Sequence, residues 1–244
     1  MEAKGDIMCN MTGKGVRPLL RALTRRIIVC GHYGSGKTTL ALNLALYLRE
    51  HGENVALADL DIVNPYFRTA DFSVLMSGAG IRLIAPAYAG TSLDVPALTG
   101  ELDGVLEEAG GTVIIDVGGD EDGARVLGRY SGRIAQGGYD MLFVANFYRS
   151  GTQSAGQAVE YIHSIEAASR LKITAVVNNS NLAGQTTCED ILSSAGRAAK
   201  LAHSCGKPLI FTNVGCQIAA ESSGELTSLG SILPIKAYVI PPWG

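Results

Sequence analysis

The chain has 244 residues, 47% of them apolar and 18% charged. That is enough to bury one full α/β core, and too apolar for a disordered chain. A net charge of −3 exerts no global pull towards nucleic acid or anionic lipid, so neither is expected as a partner.

The first 25 residues carry Lys4, Lys14, Arg17, Arg21 and Arg25 with Gly5, Gly13 and Gly15 between them. They lack the apolar stretch of about 7–15 residues found in a secretory signal, and are expected to form a mobile basic tail, residues 1–25. No later run reaches the roughly 18 apolar residues of a membrane span. The five cysteines, Cys9, Cys30, Cys188, Cys205 and Cys216, show no two-residue gap, which suits reduced thiols and a cytoplasmic location.

Arg26-Ile27-Ile28-Val29-Cys30 is a short β-branched run ending at Gly31, so it reads as a buried strand. Residues 38–50 follow with helical periodicity, closed by His51-Gly52. The alternation then repeats: strand 55–58, helix 65–76, strand 81–84, helix 94–109, strand 112–115, helix 122–135 and strand 141–144. Helix 153–169, strand 173–177, helix 186–205, strand 208–211 and a last apolar piece at 237–240 complete it. Strands that are apolar throughout, each followed by a helix, predict an α/β fold. It is a single-domain, doubly wound, mostly parallel sheet with helices on both faces, occupying residues 26–244.

The first strand-to-helix turn carries the chemistry. Gly31-His32-Tyr33-Gly34-Ser35-Gly36-Lys37-Thr38 meets the pattern G-x-x-x-x-G-K-[ST], a phosphate-binding P-loop. Gly31, Gly34 and Gly36 let the backbone bend so that N–H groups, including those around Ser35 and Thr39, turn inwards to phosphate oxygens. Lys37 is a point charge for the β and γ phosphates, and Thr38 offers a hydroxyl to Mg²⁺ at a helix N-terminus. Lys37 is therefore both a binding and a catalytic candidate.

Other strand ends supply the remaining parts. Asp116, closing Ile114-Ile115-Asp116, is placed for a Mg²⁺-bound water. Asp116-Val117-Gly118-Gly119 also matches D-x-x-G, in which the Gly119 N–H can meet a terminal phosphate. Asp59-Leu60-Asp61 follows the second strand. Asp59 is a metal candidate, and Asp61 either orients the attacking water or caps the next helix near Pro65. Val176-Val177-Asn178-Asn179-Ser180-Asn181 stands where guanine readers of this class carry N-K-x-D. Asn179 replaces the lysine and Asn181 the carboxylate, which favours adenine over guanine. Asn178 is a candidate for the base edge, or else a turn asparagine.

Over residues 26–215 these motifs resemble the MinD/ParA/CobQ-like group of P-loop ATPases, within the SIMIBI class. Asp59-Leu60-Asp61-Ile62-Val63-Asn64-Pro65-Tyr66-Phe67 and Asp116-Val117-Gly118-Gly119-Asp120 point to a nucleotide-binding subset of that group. The resemblance implies a doubly wound sheet, ATP with Mg²⁺ and a nucleotide-dependent homodimer. It puts Asp61 at the water-orienting position of the first switch and Asp116 in the second. Better-known members carry a second lysine early in the loop that reaches a partner's phosphates. His32 stands there in this chain, a shorter side chain with a lower ordinary pKa.

The C-terminal stretch, 231–244, is broken by prolines and nearly uncharged. It does not match the basic amphipathic helix of membrane-docking relatives. Cys205 and Cys216 do not form the C-x-x-C of the iron–sulfur carrier branch.

The leading expectation is a slow Mg-dependent ATPase whose nucleotide state switches an unidentified protein partner. The alternatives are an ATP-dependent small-molecule kinase or ligase, and a module that binds nucleotide without hydrolysing it. For the kinase reading, Arg68, Tyr88, Arg125, Arg129, Tyr148 and Arg149 are candidates to hold an anionic substrate.

Overall fold

The computed structural model describes residues 16–61, 72–85, 94–108, 110–119 and 121–239. The strands are β1 (Arg26–Cys30), β2 (Val55–Leu60), β3 (Arg82–Ile84), β4 (Thr112–Val117), β5 (Asp140–Ala145), β6 (Ala175–Asn178), β7 (Leu209–Gly215) and β8 (Ile232–Ile235). The helices are α1 (Val16–Ala22), α2 (Lys37–Glu50), α3 (Ser73–Gly78), α4 (Asp94–Glu107) and α5 (Glu121–Gly128). They continue with α6 (Ser131–Gln136), α7 (Ala155–Ser169), α8 (Cys188–Ser204) and α9 (Cys216–Glu221).

The strands form one sheet in the order β3-β2-β4-β1-β5-β6-β7-β8, and each neighbouring pair is parallel. The predicted α/β architecture is thus present. Alternation along β1 sorts the core: Ile27 and Val29 face a cluster with Leu40, Leu44 and Leu48 of α2. Ile28 and Cys30 face another with Leu102 of α4, Leu127 of α5, Ile162 of α7 and Leu201 of α8. Both faces are apolar because both are covered. From β1 the chain goes out to β2 and β3, returns to β4 beside β1, and then builds outwards on the other side through β5. This reversal opens the ligand crevice at the C-terminal end of β1.

Three expectations change. The basic tail was expected to run to residue 25, yet Val16–Ala22 is helical and Leu20 joins the core. Residues 1–15 lie outside the described residues. The helix expected over 122–135 is two helices, because Gly128 packs against the Ala168 carbonyl and the Ser131 hydroxyl donates to the Gly128 carbonyl. The last strand is Ile232–Ile235, ahead of the apolar piece at 237–240. Its Pro234 is compatible with the sheet because β8 lies at the edge. Among the described residues no helix is long and apolar enough to cross a membrane.

Candidate functional site

The Gly31–Lys37 turn leaves β1 and enters α2 through three glycines with φ of 147°, 72° and 90° at 31, 34 and 36. Gly36 caps α2 without a side-chain acceptor, so the first N–H groups of that helix remain for an anion. A Cβ on Gly36 would lie 2.1 Å from Asn179 Nδ2, so position 36 admits only glycine. The Lys37 ammonium donates to the His32 carbonyl (3.1 Å), which folds the side chain back along the loop. Among the described residues Ser35 Oγ is buried with no hydrogen-bond partner, an orphan of the kind that a ligand oxygen or an ordered water satisfies. Thr38 and Thr39 are half-buried in the first turn of α2.

Asp59 and Asp116 are register partners on β2 and β4. Alternation puts both on the α2 face of the sheet, since Leu57 and Ile114, two residues earlier, pack in the α2 cluster. Asp59 Oδ1 accepts from the Asp61 N–H (2.9 Å), which turns the chain as it leaves β2. Asp61 is itself buried and lies against the D-x-x-G turn, its Oδ1 3.2 Å from where a Gly118 Cβ would be. A Cβ on Gly119 would lie 2.8 Å from Lys37 Nζ and 2.8 Å from Tyr33 N. The fold therefore brings Lys37, Gly119, Gly118 and Asp61 into one sequence of contacts beside the carboxylate pair. Paired carboxylates at neighbouring strand ends are the kind of oxygen donor that Mg²⁺ takes, with waters and phosphate oxygens as its other ligands.

The segment after β6 works differently from the sequence reading. Asn178 is fully buried. Its Nδ2 donates to Ser194 Oγ (2.8 Å), and its Oδ1 accepts from the Ser180 N–H and hydroxyl. These bonds organise the loop, the turn role that the sequence also left open for it. Asn181 is likewise engaged, donating to the Asn179 carbonyl and accepting from the Ala183 N–H.

Asn179 is the residue that reaches the phosphate loop: its Nδ2 donates to the Ser35 carbonyl at 2.6 Å. That carbonyl can only accept, so the Asn179 amide has one orientation, and its Oδ1 must face Asn213 Nδ2 (3.1 Å). Asn213 and Tyr161 are site residues that sequence reasoning missed. The hydroxyl of Tyr161 on α7 donates to the Gly119 carbonyl, and its ring meets the His32 ring edge-on at 5.1 Å. His32 Nδ1 also contacts the Tyr33 carbonyl (3.0 Å). The imidazole is thus packed on its own chain, with Gly151 beneath it.

The expected substrate-holding residues scatter. Arg68 and Tyr88 lie outside the described residues. Arg125 and Arg129 line, with Arg170, a cavity of about 280 Å³ at the end of α7 away from His32. The phosphate loop meets α7 at Tyr161, and the helix carries the Ala168 end about 10 Å beyond that contact. The Tyr148 hydroxyl donates to the Asp190 carbonyl and ties the loop to α8. Of the candidates among the described residues, only Arg149 comes to the phosphate loop, beside Gly34. Cys30, at the end of β1, is fully buried. Burial pushes its thiol up to about 12, against the opposing charge of Lys37.

A glycine-lined turn from β1 into α2, a lysine within it and carboxylates on the neighbouring strands define a P-loop nucleotide-binding protein. The family can now be given: the chain belongs to the CobQ/CobB/MinD/ParA nucleotide binding domain family, whose model matches residues 27–191. A comparison with curated protein sequences gives no match.

Among solved structures, the chain is similar to cell division protein FtsY from Thermotoga maritima. TM-score is 0.58 and identity 20%, over 82% of this chain and 68% of that one. Chloroplast FtsY from Physcomitrella patens gives 0.56 and 18%, over 82% and 66%. The signal recognition particle receptor FtsY from Elizabethkingia anophelis, in complex with GDP, gives 0.53 and 20%, over 83% and 65%. At such identities the likeness is one of fold alone. The chain spans about two thirds of the length of each.

Proposed function

We propose that the chain is a slow magnesium-dependent ATPase whose nucleotide state governs its contact with a protein partner. One observation carries this reading: the Gly118–Gly119 turn lies against both Asp61 and Lys37. Such a turn meets a terminal phosphate through Gly119 and the water-orienting carboxylate through Gly118. It continues almost directly into α5, so loss of the phosphate is felt outside the site.

Gly31, Gly34, Ser35, Gly36, Thr38 and Thr39 hold the phosphates, mostly through backbone N–H groups, and Lys37 adds charge. Thr38, Asp59 and Asp116 would hold Mg²⁺, which when bound neutralises charge on the phosphate oxygens. Asp61 orients the water. Adenine is favoured because the amide of Asn181 replaces a carboxylate and both its polar atoms are engaged within the loop.

Titration with Mg-ATP and Mg-GTP, followed by phosphate release, tests the reading. ATP is expected to bind at least about tenfold more tightly, since a guanine site without its carboxylate loses a charged contact. Equal affinity for GTP would overturn the adenine assignment, and unchanged phosphate release in Asp61→Ala would overturn the catalytic one. Asp61→Ala loaded with ATP is the bait for the partner, and sedimentation with Mg-ATP asks whether a second copy is that partner.

A further inference from the structure

We infer that Arg149 is a phosphate-contacting cation that acts on the nucleotide of its own chain. The inference rests on the phosphate-loop reading above and adds a residue to it. Arg149 sits at the tip of the loop between β5 and α7, and that loop is tightly made. The Arg149 N–H bonds to the Asn146 carbonyl and the Thr152 N–H to the Arg149 carbonyl. The Thr152 hydroxyl, fully buried, also donates to the Asn146 carbonyl.

The loop touches the phosphate loop at two points. Gly151 lies under the His32 ring, and Arg149 lies over Gly34, its Nε, Cδ and Cζ 3.6, 3.7 and 3.9 Å from the Cβ position of that glycine. Gly34 has φ of 72° and no side chain, so nothing of its own separates the guanidinium from the cradle.

Charge explains why a cation is placed there. Among the described residues no carboxylate lies within ion-pair distance of Arg149, whereas Arg125 and Arg133 are each paired with two. An exposed, unpaired guanidinium over a bare helix N-terminus is suited to a multiply charged anion, and its planar fork can take two phosphate oxygens at once. Lys37 meets the site at a different point, against Gly119.

During hydrolysis the water oxygen bonds to the terminal phosphorus as the bond to the bridging oxygen breaks. Negative charge moves onto the departing diphosphate, and the water's proton leaves with the released phosphate. A guanidinium over Gly34 stabilises that charge as it develops, the electrostatic role of an arginine finger supplied in cis.

The test compares Arg149→Ala and Arg149→Lys with wild type, using ADP, a non-hydrolysable ATP analogue and ATP, all with Mg²⁺. Arg149→Ala is expected to melt like wild type and to lose about tenfold in affinity for the triphosphate analogue relative to ADP. Its kcat is expected to fall at least about hundredfold, with KM for ATP rising by about the same tenfold as the lost triphosphate affinity, because in a slow ATPase KM follows the dissociation constant. Arg149→Lys should recover part of the kcat.

An unchanged triphosphate-to-diphosphate ratio in Arg149→Ala would overturn the inference while leaving the ATPase reading intact. If wild type binds ATP but hydrolyses none, the ATPase reading falls and the affinity ratio still decides Arg149. Mixing Arg149→Ala with Lys37→Ala separates cis from trans: no recovery of turnover is expected, and recovery would show that the arginine serves a neighbour.

Discussion

Asp59 and Asp116 stand opposite one another on adjacent strands, both buried, with backbones about 5 Å apart. Like charges so close raise each other's energy, and a divalent cation relieves them. Asp116→Asn is therefore expected to change the stability of the nucleotide-free protein by no more than about 1 kcal/mol. Its Mg²⁺-dependent turnover should fall roughly hundredfold. Thermal unfolding alongside phosphate release over a range of Mg²⁺ checks both. Normal turnover with an unchanged Mg²⁺ dependence would remove Asp116 from the metal site.

Lys37→Ala should lose triphosphate binding by at least about hundredfold, because it removes the ammonium that reaches from the His32 carbonyl to the Gly119 turn. Calorimetric titration is the direct measurement. Wild-type affinity would contradict the placement of the phosphates in this loop.

Gly119→Ala offers a subtler probe. Position 119 is not among the residues with positive φ, so alanine suits its backbone, but the new methyl would stand 2.8 Å from Lys37 Nζ and the Tyr33 backbone. The variant should fold and bind ADP while losing at least about tenfold in ATP turnover. Gly132→Ala, in α6 with nothing near its Cβ position, is the matched control and should stabilise by about 0.5–1 kcal/mol.

The amide pair Asn179–Asn213 predicts a double-mutant cycle. Asn179→Ala removes the donor to Ser35 and should weaken ADP and ATP binding alike by about tenfold, the worth of one well-placed hydrogen bond. Asn213→Ala should weaken them less, and have no further effect once Asn179 is alanine. Additive losses would mean that Asn213 acts by another route.

Cys30 should resist alkylation at pH 8.5 in the folded protein. With its thiol pushed up to about 12 by burial, almost no thiolate is present, and reagent has no path to it. Among the cysteines of the described residues, Cys188 and Cys216, half-buried, should react first. Mass spectrometry of the labelled peptides reads the order directly.

Much of this site was legible in the sequence because its signals are local. Gly31, Gly36, Lys37 and Thr38 keep fixed spacing within one turn, and an apolar run ending in Asp116 announces a carboxylate at a strand end. The kinase candidates were harder. Arg125, Arg129 and Arg149 were all read as following or neighbouring strand ends, yet the first two line the far end of α7, beyond its contact with the phosphate loop at Tyr161, while a short turn keeps Arg149 over Gly34.

By itself the sequence determined the alternation of strands and helices, the bend that cradles phosphate, and which carboxylates close strands beside it. These follow from side-chain period and turn chemistry, which act within a few residues. Only the tertiary structure decided that Asn179 grips Ser35, 144 positions away, that Tyr161 holds Gly119, and that Asn178 serves the loop. Those contacts depend on strand order and on which face each side chain takes. In a parallel sheet both are set by crossovers that no local pattern records.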